Sequence, residues 1–211
     1  MIIEPFQNVL CVSPHPDDVE FSMGNYVRQH THLKFHIMAM SYDGAGGHVP
    51  DVDARHAEMV RFWDAFSCGN VVLTFNKGLI KQEDDSMWVR MIEDYVKEHE
   101  ITHIFTTPEQ DAHWEHRYVR RMVTSATRDT QTTIVEYKCA STHKDWIPNY
   151  FWEVIDEDLQ LKHDALWSTM VTQRKARYFL PDVFRDFHVD DHQSRKGIML
   201  SEQFKIVEAY G

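Results

Sequence analysis

The sequence predicts an α/β fold built on a mostly parallel sheet, and three observations carry that expectation. Strand-like and helix-like segments alternate along the first two-thirds of the chain, the rhythm of a doubly wound fold. An unbroken apolar run, Val9-Leu10-Cys11-Val12, lies near the N-terminus and reads as a buried central strand. The 211 residues contain no internal repeat or low-complexity linker, which suits one ordinary domain over 1–211 with ample length to bury a core.

The first strand spans 8–13 and leads through Pro14-His15-Pro16-Asp17-Asp18 into a helix over 18–30. A second strand, 33–41, passes through Asp43-Gly44-Ala45-Gly46-Gly47 to a helix over 53–67, for which Asp53 is the expected cap. The third strand, 70–75, precedes a helix over 86–99 capped by Asp85 or Ser86. The fourth, 103–107, contains Ile104-Phe105-Thr106-Thr107 and is ended by Pro108. Its helix, 115–128, repeats Tyr118, Val119, Met122 and Val123 at helical spacing. A strand over 133–138 closes the alternation. After about residue 140 the rhythm lapses into an irregular portion rich in aromatics: Trp146, Tyr150, Phe151, Trp152, Trp167, Tyr178 and Phe179. It holds one convincing helix, 157–173, and the alternating close from Phe204 to Tyr210 reads as a late edge strand.

Composition narrows the function classes. A formal charge of −11 disfavours a nucleic-acid backbone or an anionic lipid surface as partner, because both need clustered Lys and Arg. A small molecule is the better expectation. No run of about 18 apolar residues exists, so no membrane span is expected. Met1-Ile2-Ile3-Glu4-Pro5 lacks the basic and apolar segments of a signal peptide. Cys11, Cys68 and Cys139 are odd in number and widely spaced, and read as free thiols in a reducing compartment. These signs together suggest a cytoplasmic protein. They set no assembly state, and a homo-oligomer is compatible with them.

Two clusters carry the chemistry. His15-Pro16-Asp17-Asp18 leaves the first strand at its carboxyl end, where open α/β sheets bind ligands. The prolines stiffen the turn, and Pro16 keeps His15 out of helical dihedrals. An Asp at such a junction is commonly only an N-cap, a reading that accounts for one acid but for neither the second acid nor the histidine. The other cluster, Asp111-Ala112-His113-Trp114-Glu115-His116, follows the fourth strand in the same way. If the two loops converge, His15, Asp18 and His116 form a two-His, one-carboxylate set with an open position, the layout of a catalytic zinc rather than a closed, Cys-rich structural site. With 14 histidines in the chain most need another explanation, and His30, His32, His99 and His163 read as surface residues.

These residues resemble the PIG-L/LmbE-like de-N-acetylases. The matching positions are His15-Pro16-Asp17-Asp18 with Glu20 and Gly24, Arg55-His56-Ala57-Glu58, and His113-x-Glu115-His116. Weaker similarity continues through Pro148-Asn149 and the segment from Lys162 to Gln173. The resemblance implies a Rossmann-like, three-layer LmbE-like fold and a zinc-dependent enzyme that removes N-acetyl groups, typically from amino-sugar conjugates. By position it implies His15, Asp18 and His116 as ligands of one zinc, Asp17 as general base, and His113 as the group that steadies the oxyanion or assists the leaving amine. Arg55 would shape the substrate end. The family usually has Asp where this chain has Glu115. If that acid orients His113, an extra methylene shifts its reach.

Other readings stay open. The same ligands also suit Fe(II) or Co(II). The site would equally serve another linear amide or acyl group, and a non-catalytic metal-binding regulatory domain is a third reading. The ligand set itself recognises no sugar, so specificity is expected from the loop 43–52, Arg55 and the aromatic-rich segment, with at least one of Trp146, Tyr150 and Trp152 in the pocket. The glycine-rich loop lacks the lysine of a phosphate-binding loop and reads as a rim, from which Asp43 reaches substrate. His188-Val189-Asp190-Asp191-His192 looks metal-like but follows no good buried strand, and reads as solvated surface.

Overall fold

The computed structural model describes residues 8–41, 52–67, 69–76, 80, 84–189 and 199–207. The alternation yields β1 (Asn8–Ser13), α1 (Asp18–Gln29), β2 (Lys34–Ala39), α2 (Val52–Phe66), β3 (Val71–Phe75), α3 (Asp85–Glu98), β4 (Ile101–Thr106), α4 (Trp114–Thr127) and β5 (Thr133–Tyr137). The later chain adds β6 (Tyr150–Glu153), α5 (Asp156–Thr169), α6 (Pro181–His188) and β7 (Ser201–Val207), with short 3₁₀ turns at Val171–Gln173 and Arg177–Phe179. Seven strands form one sheet in the order β3-β2-β1-β4-β5-β7-β6. The pairs among β1 to β5 are parallel, and β7 runs antiparallel to both β5 and β6.

Strand β1 explains why this is a three-layer sandwich. Its side chains alternate, and both faces are buried. Val9 and Cys11 join a core with Met59, Phe62 and Trp63 of α2, Leu166 of α5 and Phe184 of α6. Leu10 and Val12 join the opposite core with Trp88 and Ile92 of α3 and Val119 and Val123 of α4. A strand covered on both faces has no polar side to show, which is why its sequence reads as a continuous apolar run. Chain order reverses between β1 and β4, so the sheet's topological switch point lies between the loops that follow those two strands.

Several details depart from the sequence reading. The last strand is internal, inserted between β5 and β6, and it starts at Ser201. Glu202 and Gln203 sit buried within it and disguise it, because a central strand is not expected to carry polar side chains. Helix α5 stops at Thr169 and the chain continues as a 3₁₀ turn, while β6 and α6 lie in the stretch that read as irregular. Asp84, not Asp85 or Ser86, occupies the cap position of α3, with no side-chain cap bond, and Asp85 instead accepts a hydrogen bond from Tyr118. His163 is buried, its Nε2 3.0 Å from the Phe179 carbonyl, and does not lie on the surface. His188 is fully buried as well, whereas Asp190, Asp191 and His192 lie outside the described residues. Cys11 and Cys139 are buried free thiols, and Cys68 lies outside the described residues. Among the described residues no helix is long and apolar enough to cross a membrane.

Candidate active site

The loop after β1 is tightly bonded to itself. The Ser13 hydroxyl donates to the His15 carbonyl at 2.5 Å, and that carbonyl also accepts from the Asp17 amide at 3.0 Å. Asp18, the first residue of α1, folds its carboxylate back to accept from the His15 amide at 2.9 Å. Asp17 occupies the N-cap position of α1 but makes no side-chain cap bond, so its carboxylate is not used up by the helix. Its φ of 156° with ψ −21° is a backbone state that L residues rarely adopt, the kind of local strain found at functional sites. Asp17 Oδ1 faces Arg55 at 3.5 Å, and Oδ2 accepts from the Tyr178 hydroxyl at 3.1 Å.

The loop after β4 is organised by Asp111, which is fully buried. Its Oδ1 accepts from the His113 amide at 2.8 Å and from Ser141 at 2.6 Å, and its Oδ2 lies 3.3 Å from His116 Nδ1. Thr107 donates to the His116 carbonyl at 2.9 Å and fixes the first turn of α4. The sequence places Asp111 in the cluster, but its role in holding His116 depends on this contact.

The two loops meet at the switch point. Asp18 Oδ2 is 3.2 Å from His15 Nδ1, and Asp18 Oδ1 is 3.4 Å from His116 Nε2. Ring nitrogens of His15, His113 and His116 lie within 4.8 Å of one another. Each of the two histidines that face Asp18 turns its other nitrogen to a second carboxylate. His116 Nδ1 faces Asp111, and His15 Nε2 lies 2.5 Å from Glu115 Oε2. Glu115 therefore supports His15; its carboxylate is 3.9 Å from His113 Nδ1, too far to orient that ring by a hydrogen bond. The Glu115 side chain spans from the loop after β4 to the loop after β1.

Burial and charge act together on this cluster. Burial opposes the charged form of His15, but its bonds to Asp18 and Glu115 outweigh it and raise the imidazole to about 9. Burial raises Asp17 despite the opposing Arg55, whereas the same burial at Asp18 is overcome by His116 and His15, which hold it well below the carboxylate range. His113 is lowered by burial and by the neighbouring His116.

The donor set fits a zinc-type ion. Two imidazole nitrogens and one carboxylate converge in a buried pocket, and both imidazoles have the carboxylate partner that fixes ring orientation at metal sites. His113 Nδ1 is buried without a hydrogen-bond partner among the described residues. Cys139, at the end of β5, brings its sulfur within 4.8 Å of donor atoms of Asp18 and His116. Burial pushes that thiol up to about 12, which keeps it neutral. Nothing in its sequence surroundings marks Cys139 as a neighbour of the site.

Of the remaining candidates, Arg55 is buried beside Asp17 and also donates to the Pro16 carbonyl at 2.8 Å, which ties it to the loop after β1. Asp43 lies outside the described residues, as does the glycine-rich loop. Trp146 donates to Glu136 at 2.9 Å, Tyr150 packs on Tyr26 and Phe204, and Trp152 packs on Tyr26 and His30. None of these partners belongs to the site. An aromatic that does reach it is Tyr178, whose hydroxyl meets Asp17 from 161 residues away.

The sequence pattern of the PIG-L family, described as GlcNAc-PI de-N-acetylase, matches residues 10–127, and so covers both loops. No curated protein sequence matches the chain. Among solved structures, a deacetylase triple mutant of the teicoplanin biosynthetic pathway superposes with a TM-score of 0.70 at 16% identity, over 95% of this chain and 99% of that one. The N,N'-diacetylchitobiose deacetylase of Pyrococcus horikoshii gives 0.73 at 15% identity, over 96% and 84%. The 4-carboxy-2-hydroxymuconate hydratase of Pseudomonas putida gives 0.68 at 14% identity, over 95% and 96%. At such identities the likeness concerns the fold.

Proposed function

The chain belongs to the PIG-L family of de-N-acetylases, and from that premise we propose a metal-dependent hydrolase that removes an N-acetyl group from an amino sugar or amino-sugar conjugate. The products are acetate and a free amine. The observation that carries this reading is the meeting of His15, Asp18 and His116 at the switch point, with the Asp17 carboxylate beside them and held by Arg55 and Tyr178. A shared fold does not select the chemistry, since a hydratase has it too; the family and this donor set do.

His15, Asp18 and His116 would hold one zinc ion per chain. Such an ion lowers the pKa of water toward about 7 and polarises an acyl carbonyl. Asp17 is the general base: its carboxylate takes the proton as water adds to the amide carbon, while Tyr178 and Arg55 hold its two oxygens in place. His113, whose ring nitrogens lie close to those of His15 and His116, is our candidate for steadying the developing oxyanion. As the C–N bond breaks, the amine nitrogen takes a proton from His113 or from the protonated Asp17. Asp43 follows β2 in the chain and is our candidate for contact with the sugar, and Arg55, which reaches both Asp17 and the Pro16 carbonyl, is our candidate for shaping the substrate end. The acidic chain disfavours nucleic acid and anionic membranes as partners, and the buried thiols Cys11 and Cys139 suit the cytoplasm.

Zinc-loaded protein incubated with a panel of N-acetylated sugars, nucleotide sugars and amino acids tests this. Acetate and free amine are expected in equal amounts from the sugar conjugates, and not from the amino acids. Acetate from none of the panel, with zinc bound, would remove the deacetylase reading.

A smaller effect is expected at Tyr178. Tyr178→Phe deletes one hydrogen bond to Asp17, and bonds to charged groups contribute about 1.5–3 kcal/mol. Turnover should fall by about tenfold or more, with zinc content unchanged. Parent-like kcat in steady-state kinetics would show that Arg55 alone suffices to hold the base.

A further inference from the structure

Helix α1 is broken. Met23 has φ −140° and ψ 23°, outside the helical region, so the helix is kinked there. The Asn25 and Tyr26 amides both donate to one carboxylate, that of Glu202 on β7, at 2.9 and 2.7 Å. The Phe21 carbonyl, which stands four residues before Asn25 in the helix ladder, accepts from Lys162 of α5 at 2.9 Å. Lys162 and Glu202 are themselves paired at 2.6 Å, and both side chains are 0% exposed. The third hydrogen of Lys162 goes to His188 Nε2 at 2.8 Å, and His188 Nδ1 donates to the Phe184 carbonyl at 2.7 Å. Burial, with Lys162 alongside, holds His188 well below its usual value and so keeps it a neutral acceptor.

Gly24 is what lets the lysine in. A Cβ at this position would lie 3.0 Å from Lys162 Cδ and 3.4 Å from Phe66. An ion pair has thus entered the helix ladder, with the ammonium on the Phe21 carbonyl and the carboxylate on the Asn25 and Tyr26 amides. Stability is a poor reason for it. Desolvating two charges costs free energy that an apolar pair does not, and apolar replacement of such pairs is often neutral or stabilising.

The break divides α1 just after its first turn, and that turn carries the site. It opens with Asp18, and Asp17 precedes it. It also holds Glu20, which accepts from Trp63 at 2.5 Å, and Phe21, whose ring meets Tyr178 edge-on at 5.3 Å. We propose that Lys162, Glu202 and His188 form a buried wedge that splits α1 and sets the direction of its first turn, which makes them positioning residues for the Asp17/Asp18 pair. The proposal rests on the reading of Asp18 as a metal ligand. With the wedge present, the first turn aims Asp18 at His15 and His116. Without it, α1 can close its own ladder across Met23 and carry both acids with it.

The test is the full-length double variant Lys162→Met/Glu202→Leu, compared with Asp18→Asn. The double variant is expected to melt no lower than the parent, since the buried charges are gone. Its zinc dissociation constant, from chelator competition, should rise by about tenfold or more, the scale on which outer partners act on metal affinity. With zinc saturating, kcat should drop by about tenfold while KM stays within about twofold, because the loss lies in the reacting groups. A merely structural role would lower the melting temperature and leave zinc affinity and kcat in the folded protein alone. A folded double variant with parent-like zinc affinity and kcat overturns the wedge. It overturns the wedge alone if Asp18→Asn still loses zinc, and the ligand assignment as well if Asp18→Asn keeps it. Should the double variant not fold, His188→Phe removes only the third partner of Lys162. A rise of about threefold in the zinc dissociation constant is then expected, and no change overturns the proposal.

Discussion

Asp17→Asn is expected to keep its metal and to lose about a hundredfold or more in turnover, the usual scale for removal of a general base. The two carboxylates of the loop are adjacent in sequence but face different partners. Asp18 faces the imidazoles of His15 and His116, whereas Asp17 is held by Arg55 and Tyr178. Asparagine preserves the size of the side chain and can still offer Arg55 an oxygen. Its amide cannot take a proton from water. Binding and catalysis should therefore separate at this position. Asp18→Asn is expected to behave in the opposite way and weaken metal affinity. Metal content by atomic emission, measured beside kcat for both variants, checks the pair. If metal fell with Asp17 and not with Asp18, the two roles would have to be exchanged.

The second large effect is expected at His116. Purified parent protein should carry about one zinc or similar divalent ion per chain, and His116→Ala should lose most of it. His15 and Asp18 sit on one short loop, and two ligands leave the coordination sphere half built. The third must come from the loop after β4, and His116 Nε2 is the nitrogen that this loop turns toward Asp18. The substitution should spare the fold, because Asp111 keeps its bonds to Ser141 and to the His113 amide. Unchanged circular dichroism would separate lost ligation from lost structure. Full metal occupancy in the folded variant would sink the assignment of His116.

The sequence by itself determined the sheet's parallel half and the location of the site. Val9 to Val12 read as a buried central strand, and the loop stiffened by Pro14 and Pro16 follows at its carboxyl end. The same logic applied to Ile104 to Pro108, so both chemical clusters were legible, whereas their meeting was an expectation for which the structure supplied the contacts. These are local signals: periodicity, turn chemistry and breakers act within a few residues of one another.

Tertiary structure alone decided who touches whom across the chain. Tyr178 meets Asp17, Glu115 turns to His15 and away from His113, Cys139 comes to rest beside Asp18 and His116, and Lys162 finds Glu202. It also placed β7 inside the sheet, where Glu202 and Gln203 had hidden it, and it sent Trp146, Tyr150 and Trp152 away from the site that their composition suggested. The physical reason is the same in each case. A periodic pattern specifies which face of an element is buried, but the partner on that face is chosen by how the layers stack. Buried polar residues such as Glu202 and Lys162 are satisfied by each other and by backbone and imidazole groups of α1 and α6, and only once the sheet and helices have closed around them.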